Sequence, residues 1–326
     1  MTDPMNNRSA DPEGSPETVH VSIIILTKNG QRYLRSLLVA LYGQAGVPGM
    51  EVIVIDSGSS DATLAIVAEF PDVRLVRIEP EEFGHGRTRN LGARLARGRY
   101  LVFMPQDATP VGEEWLARLI EPFADERIAG VYARQIPRPD ARATEVHFLG
   151  RTYPSEPEVR TLGRGEVPSL ARCFYSTVSG ALRAEILARH PFREDIIMSE
   201  DQAWAAQVMQ LGHRIAYQPS AAVLHSHHYR VGSIFRRNFD SGYSIRQIFS
   251  GSVGIAPGAA LRALLAEFAY VARTGPLSEL LRFFPYELAR HAGFMLGLRA
   301  HLLPHRVRRA CSDLKYFWDQ AHARGR

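Results

Sequence analysis

The sequence predicts an α/β fold: a mostly parallel sheet with helices on both faces, followed by a C-terminal helical region. Three observations carry this. Short β-branched runs alternate with stretches of helical spacing, the pattern of consecutive βαβ units. The runs are apolar on successive residues, as in strands covered on both faces. After about residue 250 the alternation gives way to long amphipathic stretches.

The elements follow in order. "VHVSIIILTKNG" is a buried strand closing in an Asn-Gly turn. "QRYLRSLLVALYGQ" places Leu34, Leu37, Leu38 and Leu41 on one helical face. "MEVIVIDSGSSDAT" is a second strand ending in Asp56 and a Gly/Ser turn, and "DATLAIVAEF" is a helix with Ser60 or Asp61 as its cap. "VRLVRI" is a third strand, "TRNLGARLARG" a helix and "RYLVFMPQD" a fourth strand. Beyond Pro110 the alternation loosens: "EEWLARLIEPFA" is a helix, "RIAGVYARQIP" a strand, and residues 137 to 170, rich in Pro, Arg and Glu, are expected to be irregular. "VSGALRAEILARH" resumes a strand-to-helix pattern, and "SEDQAWAAQVMQLGHRIAYQP" is a helix ending at Gly212 and then a strand. "APGAALRALLAEFAYVAR" and "LSELLRFFPYELARHAGFMLGLRAHL" are the amphipathic helices of the tail. The expected organisation is therefore a polar, disordered tail over residues 1–18, a catalytic or binding domain over 19–250 and a helical region over 251–326.

Composition narrows the function classes. With 326 residues, 45% hydrophobic and 22% charged, the chain can build a substantial core. The net charge of +5, carried almost wholly by arginine because Lys28 and Lys315 are the only lysines, favours anionic partners, although codon bias would give the same arginine excess. The arginines are scattered and not interleaved with aromatics, which argues against nucleic acid. Cys173 and Cys311 make neither a disulfide framework nor a metal cluster, and a reducing, cytoplasmic setting fits. The N-terminal stretch lacks the apolar segment of a signal peptide, and no run reaches the ~18 apolar residues of a membrane span.

In parallel sheets, ligands gather at the carboxyl ends of the strands. That rim carries Thr27 to Asn29, Asp56, Glu82 to His85 and Asp107. Asp56, before "SGSSD", can accept hydrogen bonds from a ribose or a base, or simply shape its own turn. Asp107, at the exit of an apolar strand, can hold a hard divalent cation between phosphate oxygens, or cap a following helix. Glu200 and Asp201 open a helix whose dipole keeps a carboxylate charged, so one of them can be a base ionised at neutral pH, or both are ordinary helix-start acids. In "VLHSHHYR" strand alternation puts His225 and His227 on one face and His228 on the other, an arrangement suited to metal or phosphate, or simply a histidine cluster of an aromatic-rich loop. No GxGxxG or P-loop follows a strand, and HExxH, CxxC and GxSxG are absent.

The order of these motifs, "VSIIILTKNG", "VIVIDSGSSDAT", "EFGHGRTRNLGARLARGRYLVFMPQDATP", "MSEDQAW" and "HSHHY", resembles the family 2 glycosyltransferases with the Rossmann-like GT-A fold. It is most similar to their rhamnosyltransferase-type members, and the resemblance covers residues 19 to 250. It implies that Thr27, Asn29 and Asp56 hold the nucleotide base and ribose, with His85, Arg89, Asn90 and Gln106 near the donor. It further implies that Asp107 binds the diphosphate and a divalent cation (Mg²⁺ or Mn²⁺) with His225 and His227, and that Asp201 is the catalytic base.

Gln106 stands where most of the family has an acid, and a Q-x-x-R-W element is missing. The resemblance thus implies transfer of a single sugar with inversion. The expected donor is dTDP-L-rhamnose and the expected acceptor a surface glycan or lipid-linked oligosaccharide. A UDP- or GDP-sugar donor is the alternative within the class, and a non-catalytic nucleotide-binding scaffold the alternative outside it. The C-terminal helices, with Phe283, Phe284, Tyr286, Phe294, Met295 and Leu296 near arginines, can meet a membrane surface, pack on the core or form a homodimer.

Overall fold

The computed structural model describes residues 20–47, 49–249 and 257–324; the N-terminal tail of the sequence reading lies outside them. β1 (Val21–Thr27) leads to α1 (Leu34–Tyr42), β2 (Met50–Asp56) to α2 (Thr63–Ala68), and β3 (Val73–Arg77) to α3 (His85–Leu95) and β4 (Tyr100–Pro105). There follow β5 (Thr109–Pro110), α4 (Trp115–Ile120), β6 (Ile128–Ile136), α5 (Ala143–Thr152), β7 (Glu158–Arg160), β8 (Gly180–Arg183), α6 (Ala184–Arg189), α7 (Glu200–Gln210) and β9 (Arg214–Leu224). The chain closes with α8 (Val231–Ile248), α9 (Pro257–Thr274), α10 (Leu277–Gly297), α11 (His305–Cys311) and α12 (Lys315–Arg324).

The strands form one sheet in the order β3-β2-β1-β4-β8-β6-β9-β5, with β7 beside β9. The block β3-β2-β1-β4 is parallel, as is β6 with β9; β8 runs antiparallel between β4 and β6. Alternate side chains of the buried strands feed two cores. Ile23, Ile25, Val52, Val54 and Val102 pack with Leu34, Leu37 and Leu38 of α1 on one face. Ile24, Ile53, Ile55, Leu101 and Phe103 pack with α6 and α7 on the other. This two-faced burial is why the strands read as unbroken apolar runs.

Register sets the rim. Thr27 lies opposite Asp56, and Leu26 opposite Pro105, so the ends of β1, β2 and β4 are level. The N-cap of α2 is Ala62 and neither Ser60 nor Asp61; Asp61 Oδ1 accepts the Thr63 N–H at 3.0 Å in the turn before the helix.

Two stretches differ from the sequence expectation. Residues 137–170 are not simply irregular: they contain α5 and the three-residue β7, which pairs antiparallel with β9. Residues 231–248, given no element from sequence, form α8, a long helix packed along α10. Glycine permits that approach: a Cβ on Gly242 would sit 2.2 Å from the Phe294 carbonyl oxygen, and one on Gly297 2.1 Å from that of Phe239. Asp240 of α8 ties in the segment before α12, its Oδ2 accepting from the N–H groups of Asp313 (2.9 Å) and Leu314 (3.2 Å).

Candidate active site

The ends of β1, β2 and β4 are joined by side chains the sequence singled out. Gln106 Oε1 accepts from Thr27 Oγ1 (2.6 Å) and the Lys28 N–H (2.9 Å), while its Nε2 donates to the Lys28 carbonyl at 3.1 Å. That last bond needs a donor. A carboxylate in its place has none at neutral pH, so the amide adds a third bond between β4 and β1 that an acid could not make.

Asn29 takes the left-handed backbone conformation that asparagine tolerates, at φ 52°, and its Oδ1 accepts the Ser60 N–H at 2.9 Å. Asp56 is fully buried; Oδ2 accepts from the N–H groups of Gly58 (3.1 Å) and Ser59 (3.0 Å), and Oδ1 from the Ser59 hydroxyl. With about four lone-pair sites on a carboxylate, one position on Oδ1 is not taken by these donors. Asp56 therefore shapes its own turn.

The Glu200–Asp201 pair divides its labour. Ser199, in the left-handed region at φ 62°, precedes α7, whose first two residues are the two acids. Glu200 is buried against Arg89 in an ion pair. Asp201 is held without a cation of its own: Oδ2 accepts from Thr177 N (3.0 Å) and Thr177 Oγ1 (3.1 Å), Oδ1 from Gln202 N at 2.8 Å. One lone pair of Oδ1 stays available. Burial, then the neighbouring Glu200 charge, push the Asp201 carboxyl above its usual range, with Arg89 and the two N–H donors pulling back. The helix dipole predicted from sequence is thus outweighed by desolvation, which makes the carboxylate a stronger base.

A cavity of about 380 Å³ opens at this point, lined among others by His85, Arg89, Asp201, His225 and His227. Arg89 donates to the His85 carbonyl at 3.3 Å, and burial with the Arg89 charge pushes the His85 pKa down to about 3, leaving a neutral ring. Asn90 does not line the cavity. Its amide clamps the loop before α7, donating to Phe192 O and Glu194 Oε1 (both 2.9 Å) and accepting from Phe192 N at 3.0 Å. Thr27, Asn29, Asp56 and Gln106 lie on the strand-end rim outside the cavity lining.

Asp107 caps no helix, since β5 follows it. Its Oδ1 lies 3.6 Å from His225 Nε2 and its Oδ2 3.7 Å from His227 Nδ1, whereas His228 turns away to Asp140 at 3.2 Å. Asp107, His225 and His227 offer ligand atoms within 4.8 Å of one another and can hold a metal ion. Sequence reasoning missed the group that orients them. Gln135, on β6, places Oε1 2.8 Å from His225 Nδ1, and its Nε2 donates to Ser176 Oγ at 3.1 Å and to the Tyr153 hydroxyl. Because that amide nitrogen is engaged, Oε1 must accept, so His225 carries its proton on Nδ1 and turns the Nε2 lone pair toward Asp107. Burial and the nearby charges of His227, Arg237 and Arg138 hold His225 well below its usual pKa, and burial also lowers His227. Neutral imidazoles are the form a metal requires. Arg237, on α8, lies over the Tyr229 ring at 5.5 Å and lines the same cavity; no sequence motif marked it.

Comparison with known proteins identifies the family. The model of glycosyl transferase family 2 matches residues 22–184. The O-antigen chain rhamnosyltransferase RfbN of Salmonella typhimurium is 30% identical over 303 residues, 92% of this chain and 96% of that protein. WbaN of Salmonella anatum, also named an O-antigen chain rhamnosyltransferase, is 30% identical over 82% of this chain and 86% of its own. Among solved structures, the mannosyltransferase PcManGT of Pyrobaculum calidifontis, in complex with GDP-Man and Mn²⁺, aligns with a TM-score of 0.54 at 20% identity over 95% of this chain and 90% of that one. Residues 1–349 of S. aureus TarS align with a TM-score of 0.51 at 18% identity, over 94% and 92%. The chain belongs to glycosyltransferase family 2. It is a glycosyltransferase with a GT-A fold and C-terminal helices, and among the described residues no helix is long and apolar enough to cross a membrane.

Proposed function

We propose that the protein transfers a single L-rhamnose from dTDP-L-rhamnose, with inversion, to a hydroxyl of a growing surface glycan or a lipid-linked oligosaccharide. One observation carries the mechanism: Asp201 presents a free lone pair to the cavity that also holds His225 and His227. The donor is supported by the names of the two relatives that align over most of their length.

In the reaction an acceptor hydroxyl attacks the anomeric carbon from the face opposite the leaving group. Asp201 takes the hydroxyl proton as the new C–O bond forms, and the bond to the nucleoside diphosphate breaks with its electron pair going to the phosphate oxygen. Arg237, which has no carboxylate partner among the described residues, and neutral His85 face the charge that develops there. One carboxylate oxygen and two imidazole nitrogens suit Mn²⁺ better than Mg²⁺, which prefers oxygen ligands. Bound there, a divalent cation would neutralise diphosphate charge. Thr27, Asn29 and the free position on Asp56 would meet the nucleoside, while Gln106 and Asn90 hold the rim and the loop that present these groups. Residues 19–250 would form the catalytic unit and 251–326 its helical complement.

The acceptor reading extends to the outer surface. Leu277, Leu281, Phe284, Leu288 and Met295 are exposed along one side of α10, with Leu261 and Leu265 exposed on α9. Exposed Arg262, Arg273, Arg282 and Arg299 lie on or beside these helices. Apolar side chains with arginine beside them fit an anionic lipid surface. Flotation with phosphatidylglycerol vesicles should carry the full chain and leave Leu281→Glu/Leu288→Glu behind. Equal behaviour of both removes the membrane contact, and dimers that the double variant splits would assign the stripe to a second copy.

The donor is tested by thermal melting with dTDP, UDP and GDP, each with and without Mn²⁺ or Mg²⁺, since a ligand that binds the folded state raises the melting temperature. A shift with dTDP that grows with Mn²⁺ is expected. Stabilisation by UDP or GDP alone would change the donor, and no shift with any nucleotide would overturn the donor site itself, whereas nucleotide binding with no sugar transfer would favour the scaffold reading.

A further inference from the structure

The cavity continues past Asp201 to a wall built by the C-terminal helices. Glu267 of α9 and Tyr286 and Arg290 of α10 line it, facing Thr144, Glu145 and Phe148 of α5. Glu267 is 5% exposed. Its Oε2 accepts from Arg290 Nη2 at 2.9 Å, but its Oε1 is buried with no hydrogen-bond partner among the described residues. A buried carboxylate oxygen without a donor is costly, and one that lines a ligand cavity marks where a donor arrives.

The chemistry of the wall selects the kind of donor. Glu145, Glu267 and Glu287 do not converge as metal ligands; among the described residues only Asp107, His225 and His227 do so. Arg290 pairs with both Glu267 and Glu287, which offsets much of their charge and weakens any claim to a free cation. What is left is a polar acceptor in a cavity that the aromatic side chains of Phe148, Tyr229 and Tyr286 also line. A sugar ring matches this set, since its hydroxyls donate to carboxylates and its C–H face packs on aromatic rings.

We propose that the Glu267–Arg290 wall is the acceptor subsite, with Glu267 Oε1 accepting a hydrogen bond from a ring hydroxyl of the acceptor saccharide while another hydroxyl reaches Asp201. This rests on the transferase reading above and goes further, because it makes α9 and α10 part of the active site.

The test uses the full chain, saturation-transfer NMR and a panel of methyl glycosides (glucoside, galactoside, mannoside and rhamnoside), measuring binding and not turnover. At least one glycoside should bind the wild type and lose tenfold or more in affinity in Glu267→Gln. Glu267→Gln keeps an oxygen for Arg290, so it should keep its melting temperature and dTDP affinity; Glu267→Asp, which retains the charge but withdraws it, should fall in between. No glycoside binding to the wild type, or equal binding by Glu267→Gln, overturns the subsite. If the subsite holds and no nucleotide-sugar is turned over, the failure belongs to the proposed reaction.

Discussion

Replacing Gln135 by leucine separates the metal reading from a merely structural one. Gln135 holds His225 Nδ1 at 2.8 Å and Ser176 Oγ at 3.1 Å, and also donates to the Tyr153 hydroxyl. Leucine fills similar space but leaves those three groups without that partner. Each unsatisfied buried group costs roughly 1–3 kcal/mol, and because neighbouring groups can re-pair the total should be about 2–4 kcal/mol. For a chain of this size that lowers the melting temperature by several degrees. The freed imidazole can also rotate or change tautomer, and losing such a partner typically weakens metal affinity by ~10–100-fold. Calorimetric titration with Mn²⁺ reads the second effect apart from the first. Gln135→Glu still offers an acceptor to the His225 N–H and should bind Mn²⁺ at least as well as leucine does by tenfold. Wild-type Mn²⁺ affinity in Gln135→Leu would refute the orienting role.

Three further outcomes follow from the geometry. Glu200→Gln removes a charge that raises the Asp201 pKa while Arg89 stays, so the acid limb of the kcat/KM profile should move to lower pH; an unmoved limb would mean that Asp201 is not the titrating base. Gly297→Ala drives a Cβ to 2.1 Å from the Phe239 carbonyl and should destabilise the α8–α10 pair by about 1–3 kcal/mol in denaturant melts, whereas exposed Gly150, with open space, should tolerate alanine. Burial raises Glu287 to about 7 from an ordinary 4.5, with Arg290 of its own helix pulling down, Glu267 of α9 pushing up, and His291 of its own helix 3.6 Å away. The folded state then holds this proton more tightly than the unfolded one, so the contribution is full below about pH 4.5 and is lost as pH rises through 7. The loss is on the order of 3 kcal/mol, and Glu287→Gln should flatten that slope.

The parallel half of the fold was legible because strands buried on both faces leave unbroken β-branched runs, and α1 because Leu34, Leu37, Leu38 and Leu41 all face the core. α8 was not. Its buried face mixes Ile234, Phe239 and Ile245 with Asp240, Gly242 and Ser244, so small and polar residues interrupt the apolar stripe that marks a helix in sequence. β7 escaped because three mostly exposed residues, held by pairing with β9, carry no alternation. In the site, chain order brought out Asp107, Asp201, His225 and His227, which strand ends and one helix start bring close. Asn90 shows the limit of that reading: it is adjacent to Arg89, yet helical geometry turns it to the Phe192 loop. Gln135 and Glu267 had no local motif, since their partners lie 90 residues and 23 residues away in the chain.

The most direct test of the account is turnover of dTDP-L-rhamnose by the wild type and by Asp201→Asn, with released dTDP quantified and the product's anomeric configuration read by NMR. The account predicts an inverted glycoside, a rate ~10²–10⁴-fold lower in the variant and unchanged dTDP affinity. Retention of configuration, or an Asp201→Asn enzyme as fast as the wild type, would contradict it.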